Sequence, residues 1–257
     1  MKEFFGIGGF QREPEGFMSW QHLLFVSLLM ATLVVLAVWL GKRNKNRSDK
    51  EKNLVLIWSA FLIDGFELLK IFVSCYDDPN SWRVMLPLFL CSIQLIAIPL
   101  AAFTNGRIKE ASLDFVCIFG ILGGVLGTVG AAQNYNAYPV LSMPNVVSGI
   151  THTISAFASL YIMLSGMQSM KRQNIWITFT ILGVFCVAAY TANILLDYNY
   201  MFLMRGDGTP YDILFNLVGG HKVWYPVSVI GLFLVYIGAF YGVVYLIEKK
   251  KRQPVAA

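Results

Sequence analysis

The amino-acid sequence predicts an all-α fold: a polytopic membrane protein whose seven transmembrane helices form one bundle, with the N-terminus outside and the C-terminus inside. Three observations carry this. The 257 residues are 56% hydrophobic and only 14% charged, whereas soluble domains carry roughly 25% charged residues. Mean hydropathy is +0.60, and apolar runs approach the about 20 residues a helix needs to cross hydrocarbon. Fourteen of the twenty Lys and Arg fall at one end of these runs, which is membrane topology rather than a nucleic-acid patch.

The runs lie at about 20–40, 53–73, 84–103, 113–132, 146–168, 176–198 and 223–247, within one transmembrane domain over 1–257. The first follows Glu3, Glu13 and Glu15 and shows no small-residue cleavage site after a short apolar core, so it is expected to stay as a helix. The second carries Asp64, Glu67 and Lys70. Pro87 and Pro99 are expected to bend the third, freeing carbonyls that polar neighbours satisfy. In the fourth, Gly120, Gly123, Gly124 and Gly127 make two overlapping GxxxG spacings, which suit close helix packing. After the sixth, the segment at about 199–222 contains Gly206, Gly208, Pro210, Gly219 and Gly220. These favour turns, and we read the segment as an outer lid.

Orientation follows from the loops. Lys42, Arg43, Lys45, Arg47, Lys50 and Lys52 fill the first, Arg107 and Lys109 the third, Lys171 and Arg172 the fifth, and Lys249, Lys250, Lys251 and Arg252 the tail. The excess of positive residues marks these as cytoplasmic. Cys75, Cys91, Cys117 and Cys186 are widely separated with no CxxC pair, so neither a disulfide framework nor a zinc site is expected. Nor is a metal, a cofactor or a nucleic-acid partner.

Ionisable and polar groups in hydrocarbon are expensive, which makes each a functional candidate that faces the bundle interior. At 1.5 Å per residue, Cys91 lies about 12 Å below the outer end of the third run, His152 and Glu67 about 9 Å below theirs, and Asn193 about 8 Å. Four helices thus place polar groups at one level in the outer half. Ser148, Thr151, His152 and Ser155 share one helical face, as do Pro87, Cys91 and Gln94, and Asn193 with Asp197 repeats the pattern. Each has a plainer reading as well. A cysteine in such a helix is commonly a small packing residue, which we assign to Cys117 and Cys186. Glu67 and Lys70, at i and i+3, are placed to neutralise one another, and His152 to hydrogen-bond between helices.

Several stretches together resemble the YwaF-like integral membrane proteins, whose vertebrate transmembrane relatives are proposed to be cysteine-dependent lipid acyltransferases. They are Trp20-Gln21-His22-Leu23, Leu86-Pro87-Leu88-Phe89-Leu90-Cys91, Gly123-Gly124, Thr151-His152 and Asn199-Tyr200-Met201-Phe202-Leu203. The likeness covers nearly the whole chain and implies that Cys91 and His152 form a catalytic pair. Two departures accompany it: relatives carry His two residues before the Cys, where this chain has Phe89, and the Gly-Pro-Trp-Pro-Trp-Tyr segment appears as Gly219 to Tyr225.

The resulting expectation is a lipid acyltransferase working in the outer half of a bacterial plasma membrane on membrane lipids. Cys91 attacks an ester carbonyl, and His152 takes the thiol proton, since a thiol buried in apolar surroundings stays inert without a base beside it. Gln94 and Asn193 are candidate oxyanion donors, Glu67 or Asp197 candidates to orient His152, and Tyr200 joins them on the substrate-binding side. Two rival readings remain open. One is a binder or transporter with a polar path through Asp64, Glu67, Lys70 and His152. The other is a subunit that docks on a membrane-protein partner through the glycine-rich fourth span. Topology is directly testable: cysteine introduced as Asn46→Cys or Lys250→Cys should resist an impermeant thiol reagent applied to intact cells. Labelling of either site from outside would overturn the assigned orientation.

Overall fold

The computed structural model describes residues 2–252; the end of the tail, at 253–257, lies outside them. Among the described residues there is no strand. Contacts divide the chain into two compact units.

The first unit takes residues up to 87 and 94–168. Its helices are α1 (Lys2–Phe5), α2 (Trp20–Asn44), α3 (Asp49–Asp77), α4 (Trp82–Met85), α5 (Gln94–Phe103), α6 (Gly106–Thr128), α7 (Ala132–Ala137) and α8 (Met143–Ser165). Local chemistry sets the ends. Ser48 and Glu51 form a capping box at the start of α3, the Ser48 hydroxyl accepting the Glu51 N–H and the Glu51 carboxylate accepting the Ser48 N–H. Ser19 caps α2 by accepting the His22 N–H. α8 stops at Gly166, whose φ of 75° suits a residue without Cβ.

α8 is the axis of this unit, packed against α6, α2 and α3. A Cβ on Gly120 would strike the Ser155 carbonyl and one on Gly124 would strike Ala156, so the missing side chains let α6 and α8 touch backbone to backbone. The Ser159 hydroxyl then donates to the Cys117 carbonyl at 2.9 Å. At the other end Tyr161 accepts from the Asn44 amide and donates to the Lys52 carbonyl, both at 3.0 Å, pinning the first loop to α8. Asn53 of α3 joins α5 and α6, donating to the Ala102 carbonyl and accepting from Lys109.

The second unit takes 88–93 and residues from 169 onward. It contains α9 (Ile175–Leu196), α10 (Asp212–Leu217) and α11 (Trp224–Arg252), with short 3-10 turns at Cys91–Ile93, Arg172–Asn174 and Tyr200–Phe202. The Thr178 and Tyr241 hydroxyls meet at 3.1 Å between α9 and α11, and the Arg172 guanidinium lies 4.1 Å above the Tyr245 ring.

One sequence expectation changes. The run at 84–103 is not one helix: α4 ends at Met85, 86–90 is irregular, and helix resumes through Cys91–Ile93 into α5. The cause is Pro87, which has no N–H to donate and forces Leu86 into the extended region at φ −59°, ψ 136°. Pro87, Cys91 and Gln94 therefore do not share a continuous helical face, and depth counted along a helix does not apply to Cys91. Next, among the described residues five helices are long and apolar enough to cross a membrane: Trp20–Asn44, Gly106–Ala137, Met143–Ser165, Arg172–Leu196 and Trp224–Ile247. α3 is long enough, but Asp64, Glu67 and Lys70 crowd its centre, and the apolar stretch Cys91–Phe103 is short.

The N-terminal segment is fastened by carboxylates. Glu3 accepts the Gln11 and Arg12 N–H groups, and Glu15 accepts the Val140 N–H at 2.7 Å while pairing with Arg12 at 3.1 Å. Burial pushes the Glu15 carboxyl up, but the Val140 N–H, its own N–H and Arg12 outweigh it, leaving the pKa below the usual value. A depressed carboxylate stabilises the fold above its unfolded pKa and loses that contribution as pH falls through the folded one. Amide exchange around Val140 should therefore accelerate on acidification below about pH 4 in the wild type. The same region in Glu15→Gln should already exchange fast at neutral pH.

Candidate functional site

The polar residues singled out by sequence divide between the units: Glu67, Gln94 and His152 belong to the first, Cys91, Asn193, Asp197 and Tyr200 to the second. Each set has its own geometry.

In the first unit His152 projects from α8 against α6. Its Nδ1 lies 2.7 Å from the Ser148 carbonyl oxygen one turn earlier. A carbonyl only accepts, so Nδ1 carries a proton, and in the neutral form of the ring the lone pair is then on Nε2. The ring occupies the space that a Gly127 side chain would fill. Glu67 is buried and paired with Lys70 at 2.7 Å, so the neutralising role foreseen for that spacing is realised. Gln94 opens α5 completely buried, and neither its amide oxygen nor its nitrogen has a hydrogen-bond partner. Such a group costs about 1–3 kcal/mol of desolvation unless something polar meets it.

In the second unit Cys91 is half-buried at the 3-10 turn that follows the irregular stretch. Cys117 and Cys186 are fully packed, the Cys117 thiol pointing 4.0 Å from the Ser159 carbonyl. Around the Cys91 segment is an aromatic cluster with Phe89 as its hub. The Phe89 ring centroid lies 6.3 Å from Tyr198, 5.3 Å from Tyr200 and 6.2 Å from Phe202. Phe202 stacks on Tyr211 at 5.3 Å, and Tyr211 meets Phe233 of α11 edge-on at 6.1 Å. Burial raises the pKa of the Tyr211 phenol, and the nearby Cys91 thiol raises it further. Position 89 is thus filled by a ring that organises its neighbours.

Two asparagines hold the turn that supplies those rings. Asn193, buried on α9, takes both backbone groups of Tyr200: its oxygen accepts the Tyr200 N–H at 2.6 Å and its nitrogen donates to the Tyr200 carbonyl at 3.0 Å. Asn199 accepts from Met204 N–H and donates to the Arg205 carbonyl and Asp207 carboxylate. These bonds hold the turn in which Met201, Phe202 and Asp207 take positive φ without glycine's freedom. Asp197 sits in the left-handed conformation at φ 51° as the C-cap of α9 and is exposed. It has left the helix, so it does not share a helical face with Asn193.

Sequence reasoning assigned no role to Asn199 or Tyr211. Asn199 carried a usable signal, an amide residue straight after a helix end, where such side chains bond local backbone. Tyr211 carried none, being a single aromatic in a turn-rich segment. Among the described residues no group of three or more His, Cys, Asp or Glu is placed to hold a metal ion.

A family model for the TMEM164 family matches residues 17–241, from the turn before α2 to well into α11. The chain belongs to the TMEM164 family. No curated protein and no solved structure matches it. Family membership together with the apolar helices makes this a multi-pass helical membrane protein. In this TMEM164-family chain the matched region includes every candidate residue above.

The tightness of the Gly127 site is open to test. Gly127→Ala should displace the His152 ring and lower the thermal midpoint by several degrees, since overpacking costs about 1–3 kcal/mol. Gly183→Ala, where nothing stands within 4 Å of a new Cβ, should leave the midpoint unchanged or raise it slightly.

Proposed function

We propose that this TMEM164-family protein is a membrane-embedded lipid acyltransferase, seven-spanning with its N-terminus outside, in a bacterial plasma membrane. Cys91 is the nucleophile and His152 its base. The observation that carries the reading is the setting of Cys91: half-buried at a break in the helical run and two residues from Phe89, the hub of an aromatic cluster, while Cys117 and Cys186 are consumed in packing. The likeness to YwaF-like proteins motivates the same pair.

The reaction balances as two transfers. His152 Nε2 accepts the Cys91 thiol proton as sulfur bonds to the carbonyl carbon of a lipid ester; the ester C–O bond breaks, and the proton passes to the departing alcohol oxygen. A hydroxyl of a second lipid then gives its proton to the imidazole and attacks the thioester carbon, and the departing sulfur takes the proton back. The Ser148 carbonyl fixes the tautomer that makes Nε2 the acceptor. The unpartnered Gln94 amide supports binding of a polar lipid group in the first unit, as donor, acceptor or both. Pairing of Glu67 with Lys70 weighs against the rival polar path, because the two charges already satisfy each other.

Purified full-length protein incubated with phospholipid should gain one acyl mass, carried on Cys91 and released by neutral hydroxylamine. Cys91→Ser should fold and lack the adduct, and Cys117→Ser and Cys186→Ser should keep it. Acyl transfer unchanged in Cys91→Ala would refute the mechanism.

A further inference from the structure

Tyr225 stands at the start of α11, in the second unit with Cys91. It is 1% exposed, and its hydroxyl has no hydrogen-bond partner. A buried phenol normally finds one, because its polar end loses water and gains nothing in return when it does not. The ring itself is fixed, meeting Phe215 edge-on with centroids 5.1 Å apart, so the hydroxyl cannot swing away in search of solvent.

Asp212, Tyr211 and Asp207 lie within electrostatic reach of that hydroxyl, and the Tyr211 ring stacks on Phe202, which meets Phe89, two residues before Cys91. Asp207 is already engaged, accepting from Arg205 Nε at 2.7 Å and from Asn199 Nδ2 at 2.7 Å. The Asp212 side chain lies against Gly206. Two carboxylates beside an unpartnered donor disfavour a phosphate or a free carboxylate by like-charge repulsion. A neutral acceptor on an apolar molecule meets no such objection, and the half-buried rings of Phe89, Phe202 and Tyr211 offer that molecule an apolar surface.

We infer that the Tyr225 phenol donates a hydrogen bond to the carbonyl oxygen of a lipid acyl ester held beside Cys91, and strengthens that bond as the oxygen gains charge when sulfur adds. The second half of this rests on Cys91 as the nucleophile; the first half does not. Sulfur addition makes the carbonyl oxygen anionic, and a donor already in place needs no reorganisation to stabilise it. The phenol keeps its proton throughout, and His152 handles the proton that moves.

Tyr225→Phe removes only the hydroxyl and keeps the ring against Phe215, so the variant should fold with an unchanged or slightly raised thermal midpoint. Two readouts on the full chain in detergent then separate the claims. The first is the rate of Cys91 acylation by a phosphatidylcholine, which should fall about 100-fold in Tyr225→Phe. The second is the infrared carbonyl band of one equivalent of phosphatidylcholine labelled with carbon-13 at its ester carbonyls. Bound to Cys91→Ser, which cannot form a thioester, that band should lie below its micellar frequency and return toward it when Tyr225→Phe is added. A Tyr225-dependent band shift without any acylation of the wild type would keep the carbonyl site and remove the nucleophile. Equal band positions with and without the hydroxyl, or equal acylation rates, would overturn the role of Tyr225.

Discussion

The most extensive helix pairing in the first unit, between α6 and α8, is the constraint from which its remaining geometry follows. Gly120 and Gly124 carry no side chain where the Ser155 carbonyl and Ala156 come nearest, so the helices meet at backbone distance. In an apolar solvent no hydrophobic force draws helices together, and van der Waals contact with interhelical hydrogen bonds must do so. The Ser159 to Cys117 bond is one such link. With α8 fixed in this way, its Tyr161 reaches the loop between α2 and α3, and its His152 ring settles over Gly127. The His152 imidazole and a packing seam therefore occupy the same few residues, and neither can be altered alone.

The second unit is ordered by different means. Its α9 and α11 are joined by a hydroxyl pair and a cation over a ring, but the segment between them follows an irregular path that hydrophobic burial alone does not specify. Asn193 and Asn199 specify it by taking up the main-chain groups that a turn leaves unpaired. The strain at Met201 and Phe202 is held in place by those bonds, and its result is to turn the Tyr200 and Phe202 rings toward Phe89. The run from Asn199 to Leu203 thus works as a backbone device that presents aromatic faces.

The long helices were legible because each is an apolar run closed by charge or turn residues. The expected 20–40, 146–168 and 176–198 differ by a few residues from α2, α8 and α9. The helix at 84–103 was misread because a proline announces a break without stating how much chain leaves the helix, and here 86–90 leaves it. Asp197 was placed on a helical face with Asn193, since only glycine advertises a left-handed turn and this turn uses Asp. Of the candidate site, Cys91 and His152 could be named from residue type and resemblance. The Ser148 bond to Nδ1 and the unpartnered Gln94 and Tyr225 groups could not, for they depend on burial and on atoms that periodicity does not place.

The pair of Glu67 and Lys70 has a further consequence, for biogenesis. The partners stand one turn apart on the same helix, so their contact requires only that α3 be helical. The Glu67–Lys70 pair in a nascent α3 is accordingly neutral before any later helix has been synthesised. Each charge alone at the centre of a helix costs the insertion machinery about 2.5–3.5 kcal/mol, and a counter-ion carried in cis removes most of the reason for that cost. Asp64 has no Lys or Arg three or four residues away on the helix. The charge balance of α3 at Glu67 is thus settled by its own sequence, through a lysine one turn away.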